Sequence, residues 1–196
     1  MNVSLFAIFI SAFLVNNIIL MKYLGLCPFF GVSTKIETAV GMSFAVLFVM
    51  TLATWITYPI FYYLLKHYDL IFLRTASFIL VIATLVQLVE MFLKRFFKIL
   101  YSALGIYLPL ITTNCAILGT TFLAIDNKFS FLEATIFSVG TSFGFGLVII
   151  LFAALREKLD LAPISPSFKG YPIAFIVASL FALAFLGFAG LFGVTI

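Results

Sequence analysis

The chain has 196 residues, of which 65% are hydrophobic and 9% charged, with a formal net charge of +4. A water-soluble domain carries roughly 25% charged residues, so this chain has too few to cover a water-facing surface. A soluble enzyme and a nucleic-acid-binding module are excluded. The cations sit beside apolar runs, which are long and do not alternate, so they point to membrane-spanning helices rather than barrel strands.

A helical span needs about 20 apolar residues, and such runs can be placed at residues 3–21, 39–65, 71–93, 99–125, 131–155 and 171–194. The first lacks a basic leader and a small-residue cleavage pattern, so it is expected to stay as a mature span rather than a signal peptide. An apolar continuation carries it through Leu24-Gly25-Leu26-Cys27-Pro28-Phe29-Phe30-Gly31. Cys27 and Cys115 are the two cysteines of the chain, one in each half. Cys115 lies in the fourth run, in Pro109-Leu110-Ile111-Thr112-Thr113-Asn114-Cys115-Ala116. Pro removes a backbone donor and Gly frees the chain to turn. The Gly25-Pro28-Gly31 cluster is therefore expected to break its helix, and Pro109 to kink the fourth. A straight first helix would leave Cys27 near one membrane face. Cys27 reaches the depth of Cys115 only if the chain after Lys22 re-enters the membrane.

Basic residues set the orientation. With the N-terminus outside, eight cations lie in cytoplasmic loops: Lys22, Lys35, Lys94, Arg95, Lys98, Arg156, Lys158 and Lys169. Three, Lys66, Arg74 and Lys128, lie outside. The positive-inside bias places both termini on the extracytoplasmic side.

The halves also resemble each other. Asn16-Asn17 matches Thr113-Asn114, and Ser77-Phe78-Ile79 matches Ala174-Phe175-Ile176, in one register. Glu37-Thr38-Ala39 and Glu133-Ala134-Thr135 lie one residue out of step with it. With three spans per half, the halves must have opposite topology. The expected fold is an all-α integral membrane domain of six transmembrane helices. It forms two inverted three-helix repeats, about 1–98 and 99–196, with helices 1 and 4 broken. Sites in such folds lie near the midplane, on discontinuous helices.

Several residues could carry chemistry. A buried free cysteine is commonly an apolar filler, and a disulfide is a further alternative. A 2Fe–2S centre takes four thiolates, so two cysteines could supply at most half of one. A second protein chain would bring the rest. Glu90 lies inside the third run, where a carboxylate points to function by default. Lys94, four residues on, equally allows an intrahelical ion pair. Asn17, Thr113 and Asn114, with Asn16 and Thr112, could line a hydrated cavity or ion path, fix the broken helices, or hydrogen-bond between helices. His67 reads as a solvated loop residue, and Trp55, Tyr58, Tyr62 and Tyr63 partly as an interfacial belt facing lipid. No phosphate-binding loop, zinc-hydrolase motif or nucleophile–base set is visible.

The run Gln87-Leu88-Val89-Glu90-Met91 and the stretch 100–119 closely resemble one family of membrane proteins. It contains subunits of the Rnf electron-transport complex and of the sodium-pumping NADH:quinone oxidoreductase. Asn16-Asn17, Leu24-Gly25-Leu26-Cys27-Pro28 and Pro166-Ser167-Phe168-Lys169-Gly170 are similar to the same family. The likeness covers essentially the whole chain, and residues 104–119 are its most specific part. Phe97-Lys98 departs from the pattern, where a Ser-Pro pair is expected in a loop. The resemblance implies a core subunit, not catalytic alone, of a complex moving electrons between ferredoxin and NAD. That transfer would be coupled to sodium or proton transport in a bacterial or archaeal cytoplasmic membrane. It also implies an inverted homologous partner, further subunits with flavin and iron–sulfur carriers, and a 2Fe–2S cluster shared with the partner through Cys27 and Cys115. The rival reading is a secondary transporter of a small solute, with inert cysteines.

Overall fold

The structure, a computed structural model, describes residues 5–67, 71–96, 109–163, 165 and 168–188. The regular elements among these residues are all helices.

The first helix, α1 (Leu5–Val15), is α-helical to Ile10 and closes on a π turn over Ser11–Val15. Asn16 ends it twice over. Its backbone N–H donates to the Ser11 carbonyl at 2.7 Å and its Nδ2 to Ser11 Oγ at 3.1 Å. The chain then folds back on itself. Leu24 N–H reaches the Ile18 carbonyl at 3.1 Å, and Tyr23 and Gly25 take positive φ of 56° and 83°. A short helix, α2 (Leu26–Val32), starts from Gly25. The first expected span is thus two pieces, as anticipated, but the break runs from Asn16 to Gly25. Pro28 and Gly31 lie inside α2. Pro28 sits in its first turn, where backbone N–H groups have no helical partner to lose.

A single helix, α3 (Ile36–Leu65), follows. Pro59 has no N–H to give to the turn before it, and the helix widens to π turns over Ile60–Leu65. A 3-10 turn, Ile71–Leu73, leads into α4 (Arg74–Phe96). The fourth expected span is described from residue 109 onward. There α5 (Pro109–Thr112) stops, Thr113 and Asn114 interrupt it, and α6 (Cys115–Asp126) begins. The interruption falls at Thr113-Asn114; the expected kink at Pro109 turns on residues outside the described ones. Next comes α7 (Phe131–Asp160), capped by Ser130 and Glu133 and continuing past its expected end at residue 155. The last is α8 (Tyr171–Leu186). The expected repeat boundary at 98/99, the Phe97-Lys98 departure and residues 100–108 of the 100–119 motif lie outside the described residues.

Three of these helices, α3, α4 and α7, are long and apolar enough to cross a membrane, and α1, α6 and α8 are shorter apolar helices. The helix α7 runs through the middle. Its Val148, Ile149, Phe152 and Ala153 and the Met42, Val46, Val49, Met50 and Ala53 of α3 are buried in one apolar core. On another side α7 offers Gly140 and Gly144, four residues apart. A Cβ on Gly144 would lie 2.6 Å from the Phe13 carbonyl oxygen, and one on Gly140 3.0 Å from that of Phe9. The backbone of α1 therefore rests directly on α7, the close approach that small residues at this spacing permit.

The two ends of the bundle are tied separately. At one, Arg74 pairs with Asp126 at 2.7 Å, joining the start of α4 to the end of α6. At the other, Arg156 donates to the Phe30 carbonyl at 2.9 Å and to Ser33 Oγ at 3.0 Å. Glu157 accepts from Ile36 N–H at 3.0 Å. Arg74 and Lys128 were expected on one membrane side, and Lys35 and Arg156 on the other; the ties join the segments that carry each pair.

Candidate functional site

The two breaks meet. The backbone N–H of Gly25 donates to Cys115 Sγ at 2.9 Å. Gly25 is the cap of α2, so its N–H has no acceptor within that helix and is left for a partner outside it. Cys27 is two residues further on, in the first turn of α2, and Cys115 is the first residue of α6. Both cysteines thus stand at helix N-termini, where backbone N–H groups and the helix dipole favour negative charge. Both are free thiols; Cys27 is exposed and Cys115 half-buried. From Cys115 to Asp126 is about 17 Å of helix at 1.5 Å per residue. That is roughly half of an apolar core of about 30 Å. The fold-back after Asn17 brings Gly25 against Cys115.

Asn114 caps α6. Its Oδ1 accepts from Ala116 N–H at 3.0 Å. Its side chain is buried, and Nδ2 has no hydrogen-bond partner among the described residues. An unmet donor in an apolar interior costs about 1–3 kcal/mol, and this one stands beside the sulfur that accepts from Gly25. Asn17 is fully used by contrast. Its Oδ1 accepts from Ile19 N–H at 3.1 Å and its Nδ2 donates to the Gly144 carbonyl at 2.9 Å. Asn17 thus holds the broken end of α1 onto α7.

A cavity of about 470 Å³ opens on Cys115 between α4 and α6. Gln87, Thr113, Asn114 and Cys115 form its polar side, and Ile79, Ile82, Ala83 and Leu118 the apolar one. Of the residues singled out from the sequence, the structure gathers Cys115, Thr113 and Asn114 here and brings Gly25, two residues before Cys27, against Cys115. Asn17 belongs to the other break. Glu90 is half-buried near the end of α4, one turn before Lys94 and one turn past Gln87, and does not line the cavity. His67 is exposed beyond the end of α3.

Three contributors escaped the sequence reading. The Gly25 amide is invisible in a sequence because any residue carries one. Gly140-x-x-x-Gly144 was legible as a small-residue spacing on a membrane helix. Arg156 looked like a loop cation, yet it anchors the carbonyl end of α2.

The residues fit a metal–thiolate centre. A half-buried sulfur already accepts a backbone hydrogen bond, the neighbouring Asn114 carries a buried amide donor without a partner among the described residues, and a second thiol follows Gly25. Among the described residues no group of three or more His, Cys, Asp or Glu side chains is gathered, so further ligands would come from outside this chain.

Comparison with known proteins gives a consistent picture. Residues 5–192 match the family described as Rnf-Nqr subunit, membrane protein. A relative from Syntrophotalea carbinolica, named as a component of an ion-translocating oxidoreductase complex, is 53% identical over 96% of this chain and 97% of its own. One from Acetobacterium woodii, named as a component of a Na(+)-translocating ferredoxin:NAD(+) oxidoreductase complex, is 52% identical over 96% and 98%. A third, from Shewanella baltica, bears the same name as the first and is 54% identical over 93% and 95%. The chain is a multi-pass membrane protein and belongs to the Rnf-Nqr membrane-subunit family.

Proposed function

We propose that this chain is a membrane subunit of an ion-translocating ferredoxin:NAD oxidoreductase, in which Cys27 and Cys115 supply half the ligands of a 2Fe–2S centre shared with a homologous, inverted partner. The observation that carries the reading is the 2.9 Å bond from Gly25 N–H to Cys115 Sγ. It joins stretches 90 residues apart and brings the residue two before Cys27 against Cys115. Such a centre supplies a one-electron carrier between iron–sulfur and flavin carriers on opposite faces of the cytoplasmic membrane. The chain's own contribution is to present the sulfurs with helix N-termini facing them, the partner covering the exposed Cys27. An uncompensated charge inside a membrane is costly, and backbone donors lower the cost.

The inverted-repeat part of the reading is supported by the two breaks. Asn17 Oδ1 accepts from the residue two ahead, and Asn114 Oδ1 does the same in the second half. Glu37 and Glu133 each stand in the first turn of the helix that follows. The transported ion is sodium or a proton, with Gln87, Thr113 and Asn114 offering polar groups beside the centre.

The test is an absorption and electron paramagnetic resonance (EPR) spectrum of the purified complex, with its iron content. Wild type should show a 2Fe–2S signal that Cys27→Ser and Cys115→Ser each abolish in assembled complex. If both variants keep the signal and the iron, these cysteines are not ligands. Solute flux through the isolated chain without iron would favour the transporter reading.

A further inference from the structure

We propose that the Gly25 amide is a fixed donor to the Cys115 sulfur that raises the reduction potential of the centre, and that this position is confined to glycine for that purpose. The inference rests on the thiolate reading above and assigns a positioning role to a residue that touches no metal.

Three facts at Gly25 converge. Its N–H points at Cys115 Sγ at 2.9 Å. Its φ is +83°, a conformation that side-chain-bearing residues rarely adopt. A Cβ there would stand 3.1 Å from Ala116 Cβ, 3.1 Å from Phe145 Cε2 and 3.3 Å from Asn114 Oδ1. Ala116 and Phe145 are both fully buried, so neither can withdraw freely. With no side chain at residue 25, the backbone can lie against Ala116 and Phe145 while its amide reaches the sulfur.

The electrical consequence follows from charge. Reduction adds one electron to the centre, with no bond made or broken in the chain and no proton required. A hydrogen bond to a ligand sulfur stabilises the more negative, reduced form, and such bonds are among the features that set iron–sulfur potentials. A methyl at residue 25 would push the amide off the sulfur and make reduction harder.

The experiment is a redox titration of the whole complex, followed by the EPR signal of the centre. Gly25→Ala should shift the midpoint downward. At the wild-type midpoint the ratio of reduced to oxidised centre should fall about tenfold, which is 59 mV for a one-electron couple. The double variant Gly25→Ala with Ala116→Gly removes one of the two closest contacts and covers failure of the single variant to assemble. A second reading needs no variant. Pulsed EPR of wild-type complex grown on ¹⁵N-glycine should show coupling of a glycine nitrogen and an exchangeable proton to the reduced centre. Absence of that coupling, or an unchanged midpoint in an assembled variant, overturns the donor role. A wild-type complex with no signal dependent on Cys115 would instead overturn the site itself, so the two failures are distinguishable.

Discussion

Asn17 and Asn114 stand at the two helix breaks and make the same bond: each side-chain oxygen accepts from the backbone N–H two residues ahead, at 3.1 Å and 3.0 Å. They differ in what their amide nitrogens do. That of Asn17 ties α1 to the Gly144 carbonyl, and that of Asn114 is buried without a partner among the described residues. Asn17→Ala should therefore lower the thermal stability of the purified complex by the equivalent of about 1–3 kcal/mol. Asn114→Ala should cost less, about 0.5–2 kcal/mol for a lost helix cap, because it also removes an unmet donor. Thermal unfolding of both variants decides it; a larger loss at Asn114 would contradict this assignment.

Gly144→Ala and Gly119→Ala make a paired test. The new methyl at residue 144 would meet the Phe13 backbone oxygen at 2.6 Å, while the one at residue 119 would meet the end of the Leu24 side chain. Backbone cannot rotate away and the end of a leucine can. Gly144→Ala should cost about 1–3 kcal/mol as an overpacking change, and Gly119→Ala clearly less. Assembled yield and melting temperature measure both.

Arg156 holds α2 from its carbonyl end through Phe30 and Ser33, and Phe152 beneath it stacks on Phe29 with ring centroids 4.2 Å apart. Arg156→Lys keeps the charge but loses the planar fork that reaches both acceptors. Complex carrying it should assemble and lose iron faster on dilution or chelator challenge than wild type. Equal iron retention in Arg156→Ala would remove the residue from the account.

Arg74 and Asp126 form a partly exposed pair, with side-chain exposures of 24% and 54%. Such pairs contribute about 0–1 kcal/mol, so a double-mutant cycle should return a coupling in that range and falling with salt. The pair also marks a membrane side. An impermeant thiol reagent should label Lys128→Cys from outside intact cells and leave Lys158→Cys unlabelled until the cytoplasmic face is opened. The opposite pattern would reverse the orientation drawn from the basic loops.

The long spans were legible because α3, α4 and α7 each carry an apolar run of the length a helical crossing needs. Their ends were less so: α7 continues through Arg156, Glu157 and Lys158, where charge suggested a loop but Arg156 and Glu157 grip residues 30–36. The breaks were foreseen in the right segments, and Gly25 bounds the first of them. Asn16, Asn17 and Asn114, among the residues that could fix broken helices, end and cap them, and Pro28 is harmless in a first helical turn. The meeting of Gly25 with Cys115 was beyond any local pattern. It depends on a fold-back of residues 17–25 and on α7 carrying glycine where α1 must lie.

Whether the sulfurs of Cys27 and Cys115 grip the same metal is tested most directly by a high-resolution density map of the assembled complex. Two iron-sized peaks are expected, bridged between these sulfurs and two from the partner, beside the Gly25 amide. Sulfurs joined to each other, or facing lipid with no such peaks between the two chains, would contradict the shared centre.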